Sequence, residues 1–154
     1  MKNRKDLIYW LLVVAWMGVI FYFSSKPANE SDKQSLLIIN SINQILNELS
    51  IKVQLIFEQW NFSIRKLAHL TEYAILGILL YNAFRVSRVE KNLIPYSLLI
   101  CMIYAITDEI HQLFVPGRTG KIVDVGVDSL GGVLGLIFMI LLMSVQRIFK
   151  GNKR

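Results

Sequence analysis

A group of ionisable side chains interrupts the apolar part of this sequence. Asp108, Glu109, His111 and Gln112 follow a long apolar run, and Arg118 comes shortly after them. Carboxylates and imidazoles can transfer protons as general acids and bases, and they can also bind a divalent ion. An ionisable residue within or beside a membrane span is costly to place there, so this group indicates a functional site.

Two further polar groups lie elsewhere in the chain. Arg65, His69 and Glu72 are spaced i, i+4 and i+7, so they share one face of a helix. Asp124 and Asp128 share another face at i, i+4. The candidate catalytic residues are the imidazoles and carboxylates on these faces: His69, Glu72, Asp108, His111, Asp124 and Asp128. The candidate ligand-binding residues are the remaining polar ones: Arg65, Lys66, Glu109, Gln112 and Arg118.

Three interpretations of these polar groups stay open. Ion pairs that fix helix packing could join the basic residues Arg65, Lys66 and Arg118 to the acids Glu72, Glu109, Asp124 or Asp128. The histidines and acids could instead catalyse a reaction or bind a metal ion, although their spacing matches no strong zinc signature. The basic residues could hold a lipid phosphate without any reaction. The sequence therefore leaves open the metal, the cofactor and whether the protein is an enzyme.

The position of Glu109 sets it apart from its neighbours. Asp108, His111 and Gln112 share a helix face at i, i+3 and i+4, and Glu109 falls about 100° away from that face. We therefore expect Glu109 to contact a neighbouring helix or Arg118.

The composition predicts an integral membrane protein. The 154 residues are 54% hydrophobic, with a mean hydropathy of +0.46, and the apolar residues come in long blocks. A net charge of +6 does not indicate nucleic-acid binding, because the basic residues flank the apolar blocks. We predict an all-α, polytopic helical bundle forming a single domain over 1–154. Its four transmembrane helices are expected at about 7–23, 64–84, 93–114 and 122–145.

The basic residues predict how the spans are oriented. They concentrate before the first span, between the second and third, and after the fourth: Lys2, Arg4, Lys5, Arg85, Arg88, Lys91, Arg147, Lys150, Lys153 and Arg154. By the positive-inside rule, these segments and both termini are expected to be cytoplasmic. The polar groups of the last three spans then all lie near the outer leaflet, where they can form one shared site.

An extracytoplasmic segment, 24–63, is expected between the first two spans, with an amphipathic helix over 31–49. Apolar residues recur there at helical spacing: Leu36, Ile38, Ile39, Ile42, Ile45, Leu46 and Leu49. Ser31 and Gln34 have the spacing of a capping box at its start. The helix either lies on the outer leaflet or packs on the rim of the bundle. The single cysteine, Cys101, lies in an apolar block and is expected to be a packed thiol.

Four short motifs run through the spans. Residues 65–73 read R-K-x-x-H-x-x-E-Y, and 108–118 read D-E-x-H-Q-x-F-x-P-x-R. Residues 124–131 read D-x-x-x-D-x-x-G, and 23–25 read F-S-S. In these motifs the chain resembles the VanZ-like family of membrane proteins, from the first span through the fourth.

The resemblance implies a protein of the bacterial cytoplasmic membrane with a role in the cell envelope. The founding member of the family is associated with resistance to the glycopeptide teicoplanin, by a route that does not use altered peptidoglycan precursors. The resemblance points to membrane lipids as partners, with a lipid-linked cell-wall precursor or a glycopeptide as further candidates. We expect the site to bind or process such a ligand. The alternative is a non-catalytic lipid- or partner-binding module with structural ion pairs.

Overall fold

Five α-helices make up the described part of the chain. The computed structural model describes residues 4–89 and 91–151. Its helices are α1 (Arg4–Ser24), α2 (Ala28–Glu48), α3 (Phe57–Val86), α4 (Leu93–Gln112) and α5 (Ile122–Gly151), and these residues contain no strand. The predicted all-α class is confirmed. Of the basic residues used to predict orientation, Lys2, Lys153 and Arg154 lie outside the described residues, as does the side chain of Lys150.

Four of these helices are long and apolar enough to cross a membrane. They are α1, α3, α4 and the Ile122–Phe149 part of α5, so the protein is a multi-pass membrane protein with four spans, as predicted. The helix ends differ from the predicted ones: α3 begins at Phe57, before residue 64, and α5 continues to Gly151, beyond residue 145. Hydropathy alone underestimates the length of such helices, because a helix can continue through polar residues until a helix-breaking residue or a capping group ends it.

The amphipathic helix α2 exists, but its predicted start is wrong. It begins at Ala28, with Pro27 in the N-cap position and no side-chain hydrogen bond capping it. A proline suits a helix start because its φ is fixed and it has no N–H that needs a partner. The predicted capping box of Ser31 and Gln34 therefore does not form.

The buried face of α2 consists of residues four apart, Ser31, Ser35 and Ile39. This face packs on α3, so the helix lies on the rim of the bundle. Leu37 and Leu49 on its other faces are 67% and 65% exposed. Of the two placements left open by the sequence, the described residues adopt packing on the rim, with apolar side chains left over to face lipid.

Polar contacts fix α2 at both of its ends. Near its start, Asp32 Oδ1 lies 3.2 Å from Arg65 Nη1 and accepts a hydrogen bond from Asn61 Nδ2 at 2.8 Å. Near its end, the Asn43 side chain bonds the backbone N–H and C=O of Leu55 at 2.7 and 2.9 Å. The contacts of Asp32 hold the start of α2 against the first half of α3, and those of Asn43 hold its end against the loop that precedes α3.

Glycines bring α3 and α5 into close contact. A Cβ added to Gly131 would overlap the carbonyl oxygen of Leu70, and one added to Gly135 would overlap that of Ala74. Small residues four apart allow membrane helices to approach closely enough for backbone contact. Because Leu70 and Gly131 lie next to the polar groups of their helices, this contact also sets the separation of those groups.

The buried core lies between α1, α3 and α4. It is built from Val13, Ile20, Tyr73, Leu76, Leu80, Ala83, Cys101 and Ala105. Cys101 is fully buried there, as expected of a packed thiol. Two polar contacts join α1 to the core: Tyr104 donates to the carbonyl of Met17 at 2.6 Å, and Trp16 donates to that of Glu72 at 2.9 Å.

Substituting Gly135 by alanine should separate α3 from α5. We expect Gly135→Ala to lower the free energy of unfolding by about 1–3 kcal/mol, because its methyl group has no space in this contact. The measurement is the midpoint of thermal unfolding of the purified protein in detergent. Gly126→Ala is the matched control, since nothing lies within 4 Å of its added Cβ. Equal midpoints for the two variants would contradict the close α3–α5 packing.

Candidate functional site

The polar groups of α3, α4 and α5 lie at one end of the bundle. This end contains the last residues of α1 and α4, the first half of α3 and the first turns of α5. Side-chain contacts join all four helices here: Ser24 to Asp108, His69 to Asp128, and others described below. The antiparallel arrangement of the spans therefore brings sequence-distant motifs together.

Three of the predicted residues form the centre of the site. His69 from α3, Asp108 from α4 and Asp128 from α5 each place one possible ligand atom within 4.8 Å of the other two. Asp108 and Asp128 are only 2% and 1% exposed. His69 Nδ1 lies 3.9 Å from Asp128 Oδ1 and 3.6 Å from Glu72 Oε2. We call His69, Asp108 and Asp128 the central cluster; these residues could hold a metal ion.

Only one of the two carboxylate oxygens of Asp108 accepts hydrogen bonds from the described residues. Ser24 Oγ donates to Asp108 Oδ2 at 2.8 Å, and Gln112 Nε2 donates to the same oxygen at 3.3 Å. The other oxygen, Oδ1, is buried and has no hydrogen-bond partner among the described residues. The same holds for His69 Nδ1 and Asp128 Oδ2. Each member of the central cluster therefore presents an unpartnered buried atom.

Basic residues surround the central cluster on the side of the loops. Lys66 Nζ contacts Asp124 Oδ1, which is one of the predicted ion pairs. Arg65 pairs with Asp32 of α2 at 3.2 Å, and not with one of the span acids considered in the ion-pair interpretation. The physical reason is that α2 packs over the start of α3, which the sequence did not reveal. The basic residues are named the cationic rim: Arg65, Lys66, Arg118 and Lys121.

Arg118 is held by backbone carbonyls near the end of α1. Its Nε donates to the carbonyl of Lys26 at 3.1 Å and its Nη2 to that of Phe23 at 3.4 Å. Gly117, at φ +74°, forms the turn that precedes it. Burial, with the nearby charge of Arg65, lowers the pKa of Arg118 from its usual value, yet a guanidinium stays protonated at physiological pH. The predicted pairing of Arg118 with a carboxylate does not form among the described residues.

Two predicted residues lie beside the centre. His111 Nε2 is 3.0 Å from Ser25 Oγ, and its ring centroid is 4.4 Å from that of Phe21, so His111 faces α1. Glu109 is buried and accepts a hydrogen bond from the backbone N–H of Lys121 at 2.8 Å. This bond joins Glu109 to the residue just before the first turn of the neighbouring helix α5, and Glu109 forms no hydrogen bond or ion pair with Arg118 among the described residues.

Two cavities open from the site. One of about 230 Å³ lies between α2 and α3, and another of about 170 Å³ lies between α3, the loop at 117–121 and the start of α5. Arg65, His69 and Arg118 line both cavities. The cationic rim and the imidazole of the central cluster are therefore reachable from two directions.

An apolar groove continues from the first cavity along α3. It has a volume of about 370 Å³ and shares Ile38, Ile64, Ala68 and Glu72 with that cavity. Its other walls are mostly apolar: Trp16, Ile42, Leu67, Thr71 and Ile75. We call it the membrane groove, because it runs between α2 and a membrane-spanning helix.

Sequence reasoning left three site residues out. Ser24 lies in the F-S-S motif and Tyr73 ends the R-K-x-x-H-x-x-E-Y motif, so both carried a signal that was not used. Ser24 holds Asp108, while the Tyr73 hydroxyl is buried one turn after His69, without a partner among the described residues. Asp32, the partner of Arg65, carried no comparable signal.

A comparison with protein families matches residues 9–143 to the VanZ/LLP1 family. The matched range includes every predicted site residue, and it confirms the resemblance inferred from the motifs. Comparison with curated proteins and with solved structures finds no match.

Removing the hydroxyl of Ser24 should destabilise the site. Ser24→Ala leaves the buried Asp108 carboxylate with one donor fewer, so we expect the free energy of unfolding to fall by about 1–3 kcal/mol. Thermal unfolding in detergent measures this change. Ser144→Ala is the control, because that exposed hydroxyl bonds only a carbonyl of its own helix. If both serine variants unfold at the wild-type midpoint, Ser24 does not support Asp108.

Proposed function

The chain belongs to the VanZ/LLP1 family, and we propose that it binds an anionic membrane lipid or a lipid-linked anionic molecule at the end of the bundle described above. One observation carries this proposal: the space beside α3 is cationic at one end and apolar at the other. An amphiphile with an anionic headgroup has the same two parts in the same order.

The cationic rim supports the headgroup half of the proposal. Arg118 is bonded to neutral carbonyls, so these contacts do not cancel its charge. Arg65 lines the same two cavities, and guanidinium groups bind phosphate oxygens through charge-assisted, often bidentate hydrogen bonds. A phosphate bound by Arg65 and Arg118 would occupy a cavity that His69 also lines.

The membrane groove supports the hydrocarbon half of the proposal. Ile38 and Ile64 line both the groove and the cavity at the cationic rim, so an acyl or prenyl chain can run from one to the other. Each buried CH₂ of such a chain contributes roughly 0.8 kcal/mol. The groove is lined by residues of the spans α1 and α3, so a ligand can enter it laterally from the bilayer.

We place this site at the outer leaflet of a bacterial cytoplasmic membrane, with both termini in the cytoplasm. The basic residues Arg85, Arg88 and Arg147 lie at the other end of the bundle, as the positive-inside rule expects of a cytoplasmic side. Lipid-linked cell-wall precursors and glycopeptides meet at the outer leaflet. A contribution to teicoplanin-type glycopeptide resistance is therefore part of the proposal.

Processing of the bound ligand is the second candidate function. His69 supports it, because its imidazole lines both cavities and lies within 4 Å of the carboxylates of Glu72 and Asp128. Such a group can transfer a proton to or from a ligand held by the rim. The ion pairs Lys66–Asp124 and Arg65–Asp32 favour instead the alternative of a non-catalytic binding module.

Neutralising Arg118 should weaken the binding of anionic lipids. We expect wild-type protein to bind phosphatidylglycerol more tightly than phosphatidylcholine, and Arg118→Gln to reduce the phosphatidylglycerol affinity about tenfold, because a charge-assisted hydrogen bond contributes roughly 1.5–3 kcal/mol. Native mass spectrometry of detergent-solubilised protein measures both affinities. Arg147→Gln, an exposed position at the other end of the bundle, is the charge control.

The same lipid-binding measurement distinguishes the contribution of the membrane groove from that of the cationic rim. Glycopeptide tolerance of cells tests the biological role of the site. Ala68→Phe fills the membrane groove without removing charge, and it should weaken long-chain lipids more than short-chain ones. Cells expressing Arg118→Gln at the wild-type level should lose glycopeptide tolerance, whereas Arg147→Gln cells keep it. Equal lipid affinities for wild type, Arg118→Gln and Ala68→Phe would contradict the proposal.

Labelling of single cysteines tests the orientation. In a Cys101→Ala background, which removes the buried native thiol, we expect a membrane-impermeant maleimide to label Lys121→Cys in intact cells and to miss Arg88→Cys. Both residues are exposed on the protein surface, so a difference in labelling reports the side of the membrane and not burial. Labelling of Arg88→Cys alone would move the site to the cytoplasmic leaflet.

A further inference from the structure

We propose that His69, Asp108 and Asp128 together bind a divalent transition-metal ion, for which Zn²⁺ is the first candidate. The proposal goes beyond lipid binding and stands independently of it. It starts from three side chains, one on each of three helices, whose possible ligand atoms lie within 4.8 Å of one another. Each of the three also has a buried atom without a hydrogen-bond partner among the described residues (His69 Nδ1, Asp108 Oδ1 and Asp128 Oδ2), although buried polar atoms in native proteins nearly always have a partner.

The separations within the central cluster suit coordination. A zinc ion with bonds of ~2.1 Å holds tetrahedral ligand atoms about 3.4 Å apart. His69 Nδ1 and Asp128 Oδ1 are already 3.9 Å apart. Side-chain rotations that move each ligand atom by about an ångström or less would bring the three atoms to the separation that zinc needs.

A nearby cation would stabilise the ionised form of the cluster. Two carboxylates that are 98–99% buried are costly to keep ionised unless a positive charge offsets them. Among the described residues, neither Asp108 nor Asp128 forms an ion pair with a lysine or arginine. Lys66 pairs with Asp124 and Arg65 with Asp32, while Arg118 bonds two backbone carbonyls and forms no ion pair with either carboxylate among the described residues. A divalent ion would supply the missing positive charge.

The hydrogen bonds around Asp108 resemble those that orient metal ligands. Ser24 and Gln112 both bond Oδ2, which fixes the carboxylate and leaves Oδ1 without a hydrogen-bond partner among the described residues. Outer groups of this kind hold first ligands in place and raise metal affinity. Glu72, whose Oε2 is 3.6 Å from His69 Nδ1, is placed to become a fourth ligand.

The ligand set selects the class of metal. One imidazole nitrogen with two carboxylates suits Zn²⁺ or Mn²⁺, whereas Mg²⁺ and Ca²⁺ prefer sites built from oxygen alone. His69 also lines both cavities, so a metal bound to it would keep a position open for water or for a ligand oxygen. That is the arrangement of catalytic rather than purely structural zinc sites.

The test is metal binding by the purified chain. Protein carrying a tag without histidines is stripped with a chelator, reloaded with Zn²⁺, Mn²⁺ or Mg²⁺ and analysed by inductively coupled plasma mass spectrometry. We expect about one Zn²⁺ or Mn²⁺ per chain, little Mg²⁺, and a higher midpoint of thermal unfolding with Zn²⁺. Substoichiometric Zn²⁺ and Mn²⁺ in the wild-type protein would overturn the proposal without any variant.

Variants assign the ion to its ligands. Asp108→Asn and Asp128→Asn keep the shape of the side chains, and each should weaken Zn²⁺ binding about a hundredfold or more, because even outer-shell changes commonly cost 10–100-fold. Ser24→Ala should keep one ion per chain with an affinity about tenfold lower. Glu58→Gln, an exposed acid in the first turn of α3 and outside the cluster, is the control. Wild-type affinity in both Asp108→Asn and Asp128→Asn would refute the assignment.

Discussion

Burying the carboxylates of Asp108 and Asp128 inside an apolar bundle is the constraint on which the rest of the structure depends. Charged groups in such surroundings are costly unless hydrogen bonds or opposite charges offset them. Ser24 and Gln112, the last residues of α1 and α4, each donate a hydrogen bond to the carboxylate of Asp108. The ends of these helices therefore have to meet where the acids lie.

Helix packing and the site are two aspects of one arrangement. Gly131 and Gly135 let α5 touch the backbone of α3, which brings Asp128 beside His69. Without that approach the two side chains would belong to separate polar faces. At the same end of the bundle, α2 supplies Asp32, which pairs with Arg65, and the loop at 113–121 supplies Arg118, which bonds the carbonyl of Lys26. The result is a polar interior that opens towards both water and the membrane groove.

Local periodicity predicted much of this fold and part of its site. The four spans follow from hydropathy, and the faces of His69, Asp108 and Asp128 follow from helical spacing, because both depend only on neighbours in sequence. Side-chain partners on different helices are harder to predict from the sequence. Arg65, for example, pairs with Asp32 of α2 and not with an acid of the spans. The start of α2 was misjudged because Pro27, and not Ser31, occupies the N-cap. Such features depend on tertiary packing, which a spacing rule does not contain.

An experimental structure with anomalous scattering recorded at the zinc edge tests the central claim most directly, because it locates the ion and the ligand atoms together. If the central cluster binds zinc, a peak lies about 2.0–2.2 Å from His69 Nδ1, Asp108 Oδ1 and an oxygen of Asp128. Zinc binding by the cluster is contradicted if zinc-loaded crystals show no peak there while Asp108 and Asp128 bond each other or point away from His69.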